Sequence, residues 1–146
     1  MFNFTIDPHR KLIRTTFSGF LTADEVMEWS RQEQAAVVAM GCGSGGFLLL
    51  VDSSGCAIQT QEVIGLFQQL VATSEYKARR IAIMRGSSLT RMQTRRIAGD
   101  KDYIGHFETI TEAEEWLFAD MPRAVLGRAT AGGDPKPAVR AQAARK

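Results

Sequence analysis

The chain is organised around one run of residues, Gly46-Phe47-Leu48-Leu49-Leu50-Val51-Asp52-Ser53-Ser54-Gly55. The five residues from Phe47 to Val51 are all apolar, whereas a strand with one face in water alternates apolar and polar residues. A short apolar run between turn-forming residues is typical of a strand that is buried on both faces. In open α/β folds, ligands and partners meet the loops that follow the carboxyl ends of such strands. We therefore expect any recognisable function to lie at the loop Asp52–Gly55.

Length and composition indicate one globular domain followed by a tail. The 146 residues include 45% hydrophobic and 23% charged residues, which is ordinary for a soluble protein. Residues 1–121 carry 12 Lys/Arg and 15 Asp/Glu, whereas residues 122–146 carry 6 Lys/Arg and 1 Asp. The tail is therefore basic, and its Ala, Gly and Pro content predicts no packed structure. A basic tail of this kind can add weak binding to anionic surfaces.

The sequence predicts a cytoplasmic protein with no transmembrane segment. The N-terminus lacks the basic and apolar segments of a signal peptide. The longest apolar run, residues 35–40, is far shorter than the ~20 residues that span a bilayer. Cys42 precedes the central strand and Cys56 follows it, so about 20 Å should separate them, which is too far for a disulfide. We expect two free thiols.

The pattern along the chain predicts the order β-β-α-β-α-β-α-β-α. Alternating apolar residues at 2–6 and a second apolar stretch at 12–18 predict an antiparallel hairpin, with its first strand at a sheet edge. Three βα units follow, and right-handed crossovers should make their strands parallel. The predicted fold class is α/β, with a mixed sheet of about five strands and about four helices.

Helix starts are marked by side chains that cap free backbone N–H groups. Thr22 and Glu25 form a capping box at the start of the first helix. Thr60 is a candidate N-cap for the second helix. Thr111 and Glu114 form another capping box, which predicts that the last helix opens there. The apolar stripe of the first helix consists of Val26, Trp29, Val37 and Met40.

Four segments, in this order and spacing, resemble a known family. They are 17–25 (FSGFLTADE), 47–52 (FLLLVD), 80–84 (RIAIM) and 107–117 (FETITEAEEWL). They resemble the SpoIIAA-like fold, which is shared by STAS domains (anti-sigma-factor antagonists) and is related to the lipid-binding CRAL-TRIO/Sec14 domains. The resemblance covers about residues 2–119 and implies a small bacterial protein of the STAS/Sec14-like class. It implies a non-catalytic regulatory module that binds a protein partner. The Sec14-like relatives imply an alternative, a carrier of a small apolar ligand or lipid.

The resemblance also implies a phosphorylated hydroxyl residue. Sporulation-type antagonists carry a D-S-[ST]-G motif whose second hydroxyl residue is phosphorylated, and Asp52-Ser53-Ser54-Gly55 matches that motif, which makes Ser54 one candidate. In that family the motif lies several residues after the strand, at the start of the next helix. If Asp52 matches the acid at the strand end, the position falls at Thr60, the second candidate. The alternative for this loop is a tight turn in which the Ser53 and Ser54 side chains bond the local backbone and Gly55 takes a positive φ.

A basic segment follows the second predicted helix. Residues 77–101 contain eight Lys/Arg and one acid, Asp100. Arg91 and Arg95 share a helix face, and Arg85 lies at the carboxyl end of its strand. These arginines could bind an acidic partner, a phosphate or lipid headgroups, or they could form a solvated face that pairs with carboxylates elsewhere. The candidate partner or anion surface consists of Asp52, Ser53, Arg85, Arg91 and Arg95.

The sequence offers no clear catalytic constellation. His9, at a predicted hairpin tip, and His106, on the last strand, have no predicted acid partner, and the cysteines and histidines fit no metal motif. Cys56 would be a reactive thiol only if the nearby helix start lowered its pKa. No nucleic-acid-binding motif is present. We expect no enzymatic activity, cofactor, metal or specific nucleic acid, with an enzyme of unknown reaction as the third alternative. A homodimer through an edge strand or an apolar helix face is compatible with the pattern.

Overall fold

The computed structural model describes residues 1–84, 88–99 and 101–119. Within them the chain forms five strands and four helices in the predicted order. The elements are β1 (Phe2–Asp7), β2 (Leu12–Gly19), α1 (Ala23–Ala39), β3 (Leu48–Cys56), α2 (Gln61–Thr73), β4 (Arg80–Met84), α3 (Ser88–Ala98), β5 (Ile104–Phe107) and α4 (Ile110–Leu117). Arg85, the predicted domain boundary at residue 121 and the basic tail lie outside the described residues.

The five strands lie side by side in the order of the sequence. β1 is antiparallel to β2 and forms one edge of the sheet, as predicted, and β2, β3, β4 and β5 are parallel. Each right-handed crossover advances one strand in the same direction, so α1, α2 and α3 all cover the same face of the sheet. α4 follows the last strand and covers the opposite face. The carboxyl ends of the parallel strands consequently meet at one edge of the sheet.

β3 is buried on both faces, and the prediction from its apolar run is confirmed. Leu49 and Val51 enter the core beneath α1, α2 and α3, whereas Leu48 and Leu50 enter a second core beneath α4. The second core is the smaller of the two. Its buried members are Leu12, Leu48, Leu50, Ala82, Ala113, Leu117 and Phe118.

Two predicted helix starts are confirmed in atomic detail. The Glu25 N–H donates to Thr22 Oγ1 at 3.1 Å, and the Thr22 N–H donates to Glu25 Oε1 at 3.0 Å, so both halves of the capping box are present. At the start of α2, the Val63 N–H donates to Thr60 Oγ1 at 3.2 Å. In both cases a threonine hydroxyl satisfies a backbone donor that the helix itself cannot satisfy.

The predicted start of α4 at Thr111 was wrong. The helix begins at Ile110, and the capping residue is Thr109, whose Oγ1 accepts the Glu112 N–H at 3.1 Å. An N-cap residue needs an extended backbone, which Thr109 has at φ −129° and ψ 155°. Thr111 is already inside the helix and therefore cannot cap it, even though Glu114 completes the sequence pattern.

The predicted loop at Asp52–Gly55 was also wrong, because β3 continues through this segment to Cys56. Pairing of β3 with β4 ends at Asp52, but β2 extends to Gly19 and offers further backbone partners. Gly55 and Cys56 therefore pair with the last two residues of β2, after a register shift that leaves one extra residue in β3 between Asp52 and Gly55. The segment is extended backbone, not the tight turn proposed as its alternative structure.

Cys42 and Cys56 are both free, as predicted. In the described part of the chain, no helix is long and apolar enough to cross a membrane.

Candidate functional site

Two connections from strand to helix and the first turns of a third helix, α3, lie at the carboxyl edge of the sheet. They follow β2, β3 and β4, which are parallel neighbours. We call this surface the strand-end rim and define it by residues 20–22, 54–60 and 88–93. Each of its three segments exposes large apolar side chains. They are Phe20 after β2, Ile58 after β3, and Leu89 and Met92 on α3.

Gln59 holds the three segments of the rim together. Its Oε1 accepts the Leu21 N–H at 2.8 Å and its Nε2 donates to the Gly19 carbonyl at 2.8 Å, which ties the β3–α2 connection to the β2–α1 connection. The Gln93 side chain on α3 binds the Gln59 backbone twice. The Gln59 N–H donates to Gln93 Oε1 at 2.8 Å, and Gln93 Nε2 donates to the Gln59 carbonyl at 2.9 Å. Sequence reasoning missed both glutamines, since a single glutamine carries no distinctive pattern.

Replacing Gln93 with alanine is expected to lower the free energy of unfolding by about 1–2 kcal/mol, because a partly buried backbone N–H and carbonyl would lose their partners together. Urea denaturation followed by circular dichroism measures the change. The matched control is Gln68→Ala. Gln68 also joins α2 to α3, but through one exposed hydrogen bond to the Arg96 carbonyl, so its loss should cost less than about 0.5 kcal/mol. Equal effects of the two variants would contradict the role assigned to Gln93.

The hydroxyl groups proposed from the sequence lie in different surroundings. Ser53 Oγ donates to the Met84 carbonyl at 2.7 Å, which joins β3 to the end of β4. Asp52 Oδ1 accepts the Ser54 N–H at 3.0 Å and the Ser54 hydroxyl at 2.6 Å. Thr60 is exposed at the N-terminus of α2. Ser54 is thus held against a carboxylate, whereas Thr60 faces the positive end of a helix dipole.

Arg91 and Arg95, the two predicted arginines within the described residues, both lie on α3. Arg91 lies in the rim, with its Nη1 3.6 Å from Glu108 Oε2, and both side chains are substantially exposed. An exposed pair of this kind contributes at most about 1 kcal/mol. Arg95 lies in the last turn of α3, about 10 Å along the helix from its first residue. Arg80 is on the far side of the sheet, with its guanidinium over the Trp116 ring. The described basic residues are therefore spread over both layers of the fold.

A cavity of about 160 Å³ lies between the sheet and the three helices α1, α2 and α3. Its wall is mainly apolar. The rings of Phe17, Trp29 and Phe67 meet there, with the Phe17 centroid 5.2 Å from Trp29 and 5.5 Å from Phe67 in edge-to-face contacts. The Trp29 indole N–H is satisfied by Thr15 Oγ1 at 3.1 Å.

One carboxyl group lies on the wall of this cavity. Glu33 is only 6% exposed, and Gln34 Nε2 donates to its Oε1 at 2.7 Å. Burial raises the pKa of Glu33 from 4.5 to about 7, since the apolar surroundings disfavour the charged form. Sequence reasoning missed Glu33, although a signal was present. Positions 26, 29, 33 and 37 recur at helical spacing, and position 33 is the one charged residue in that buried stripe.

The Cys56 thiol, considered as a reactive group, is not activated by its surroundings. Burial raises the pKa of the Cys56 thiol to about 11, which disfavours the reactive thiolate. Among the described residues, no group of three His, Cys, Asp or Glu side chains could hold a metal ion. Cys56 therefore has the character of a partly buried, unreactive thiol.

No protein-family model and no curated protein matches the sequence. Among solved structures, the chain is similar to an uncharacterised DUF3478-family protein with a SpoIIAA-like fold from Shewanella loihica PV-4. The TM-score is 0.62 at 17% sequence identity, over 80% of this chain and 93% of that chain. This chain has a SpoIIAA-like fold. A second similar structure, an anti-sigma factor antagonist from Mycobacterium paratuberculosis, has a TM-score of 0.52 at 12% identity, over 80% of this chain and 94% of that chain.

The comparisons confirm the fold that the sequence resemblance implied. Sequence identities this low show a shared SpoIIAA-like architecture and do not identify a binding partner. The features that bear on binding are therefore those of this chain's own residues. In this SpoIIAA-like fold those residues form two features that share some residues, among them Gln59 and Gln93. One is the strand-end rim, which faces outward, and the other is the cavity with Glu33, which lies beneath the helices.

Proposed function

We propose that the protein is a non-catalytic regulatory module that binds a protein partner through the strand-end rim. The observation that carries the proposal is the exposure of a large apolar side chain by each of three neighbouring segments of the rim, Phe20 after β2, Ile58 after β3 and Leu89 in the first turn of α3. Exposed apolar residues are normally scattered singly, and their clustering at one edge indicates an interaction surface. Arg91 and Met92 lie in the same rim, and arginine and methionine are enriched in protein interfaces. The anti-sigma factor antagonist with the same fold supports a regulatory role.

We further propose Thr60 as the hydroxyl through which this binding is regulated by phosphorylation. A phosphoryl group on Ser54 would lie against the Asp52 carboxylate, since the two side chains are 2.6 Å apart, and like charges would repel. A phosphoryl group on Thr60 would lie at the helix N-terminus, where backbone N–H groups and the dipole favour an anion. It would also place about two negative charges beside the exposed Ile58 and so weaken an apolar contact.

The cavity argues against the alternative of a lipid carrier. Pockets for drug-sized ligands typically enclose about 300–1,000 Å³, and the cavity here is about 160 Å³. An acyl chain therefore would not fit without a large movement of the helices.

Replacing Leu89 with aspartate is expected to reduce partner recovery about tenfold, because a charge at the centre of an apolar contact commonly costs more than 1 kcal/mol. Leu89 is exposed in the first turn of α3, where an acidic residue is favourable to the helix dipole, so the fold should be retained. The measurement is quantitative mass spectrometry after capture of tagged full-length protein from a lysate of the native host.

The matched control for this capture is Val38→Asp. Val38 is also an exposed apolar residue, but it lies near the end of α1, away from the rim. Its replacement should leave recovery unchanged. Thr60→Glu should reduce recovery, whereas Thr60→Ser, which keeps the capping hydroxyl, should not. If Leu89→Asp and Val38→Asp recover the same proteins in the same amounts, the rim is not the binding surface.

A further inference from the structure

The wall of the cavity beneath the helices holds a buried carboxyl group for which the described part of the chain provides no countercharge. Transfer of a carboxylate into an apolar environment is costly unless it is paired and hydrogen-bonded. Glu33 is only 6% exposed. Among the described residues, it accepts one hydrogen bond, from Gln34, and forms no ion pair. A buried carboxyl group with incomplete partners on a cavity wall is an indicator of a binding site.

No neighbouring cation of the described chain completes the site. The other titratable side chains on the cavity wall are Cys56, Tyr76, Lys77 and Tyr103. The ammonium group of Lys77 is engaged elsewhere, because its Nζ donates to the Val71 and Ala72 carbonyls at 3.1 and 3.2 Å and so caps the end of α2. Burial raises the pKa of both Cys56 and Tyr103, so these two groups are neutral near pH 7.

The wall around Glu33 offers what an ammonium group needs. Trp29 lies one helical turn before Glu33 on α1, so the indole ring and the carboxyl group share one helix face and both line the cavity. An indole ring attracts a cation to its face. Ser30 and Gln34, which also line the cavity, add polar atoms beside the carboxyl group. Most of the remaining wall is apolar.

We propose that the cavity binds a small primary amine with an apolar body, whose ammonium group pairs with Glu33. The size of the body follows from the volume, since an apolar cavity of about 150 Å³ accommodates benzene, and this one measures about 160 Å³. An ammonium group supplies three hydrogen-bond donors and the missing countercharge. The cavity extends to rim residues such as Gln59 and Gln93, but the groups proposed to bind the amine, Glu33 and Trp29, lie on α1, so either proposal can fail without the other.

The test is a titration of the ¹⁵N-labelled full-length chain with cyclohexylamine at about pH 8, where Glu33, with its pKa of about 7, is ionised. The two tryptophans provide an internal reference. Trp29 lines the cavity, whereas Trp116 packs on the other face of the sheet. The indole N–H signal of Trp29 should shift in a saturable manner, and that of Trp116 should not move.

A variant without the Glu33 charge distinguishes an amine that pairs with Glu33 from a ligand that merely fills the apolar cavity. Glu33→Gln should raise the Kd for cyclohexylamine at least about tenfold, the equivalent of one lost charged hydrogen bond. The same variant should leave the Kd for methylcyclohexane, an uncharged ligand of the same shape, unchanged. The matched control is Glu28→Gln, which removes a more exposed carboxyl group from the same helix and should leave the Kd for the amine unchanged. The proposal is overturned if the Trp29 signal does not move with the amine, or if Glu33→Gln binds the amine as tightly as the native chain does.

Discussion

Replacing Leu117 with alanine is expected to lower the free energy of unfolding by about 3 kcal/mol, within the range of about 2–5 kcal/mol for buried leucines. Leu117 is fully buried in the small second core, where α4 covers the sheet. α4 has eight residues, too few to form a stable helix without tertiary contacts. Loss of the leucine side chain would leave a void against Leu48 and Leu50, which the sheet holds in place, so the void cannot collapse.

Urea denaturation measures the effect of Leu117→Ala, and Ile110→Ala is its matched control. Ile110 is the first residue of the same helix and is 37% exposed, so its truncation should cost less than about 1 kcal/mol. The contrast tests whether α4 is held by the second core or by its polar contacts, such as the ion pair between Arg14 Nη2 and Glu114 Oε2 at 2.6 Å. Similar losses in the two variants would mean that the second core contributes little.

The features that the sequence predicted correctly are those with a local physical cause. Phe47 to Val51 identified the central strand, because a continuous apolar run is stable only where both faces are covered. Thr22 and Thr60 identified two helix starts, because a capping hydrogen bond joins residues three positions apart. The order of strands and helices then predicted the fold, because right-handed crossovers allow only a few sheet topologies for that order.

The features that the sequence did not predict depend on contacts between distant segments. β3 continues beyond Asp52 only because β2, more than thirty positions earlier, is long enough to pair with it. The rim emerged from the exposure of Phe20, Ile58 and Leu89 together, and no local pattern reports exposure. The cavity depends on how far three helices stand from the sheet, which is not a property of any single residue. Glu33 is the exception, since its place in the apolar stripe was visible in the sequence.

Glu33→Gln is expected to remove a pH dependence of stability that the native chain shows between about pH 5 and pH 8. The pKa of Glu33 is about 7 in the folded protein, against an ordinary value of 4.5. Between these values the folded protein holds a proton that the unfolded chain has released, so the free energy of unfolding falls as pH rises. The stability provided by neutral Glu33 is complete below about pH 4.5 and is lost as pH rises through about 7.

From about pH 5 to about pH 8, the free energy of unfolding of the native chain should fall by about 2 kcal/mol. Urea denaturation at these two pH values measures the change in the native chain and in Glu33→Gln. The lowered pKa values of Asp7 and Glu25 act in the opposite direction at more acidic pH and are common to both proteins, so they cancel in the comparison. Glu28→Gln should keep the native pH dependence. Parallel pH curves for the native chain and Glu33→Gln would show that the Glu33 carboxyl group is solvated, and the cavity would then lose the buried charge on which its assignment as an amine site depends.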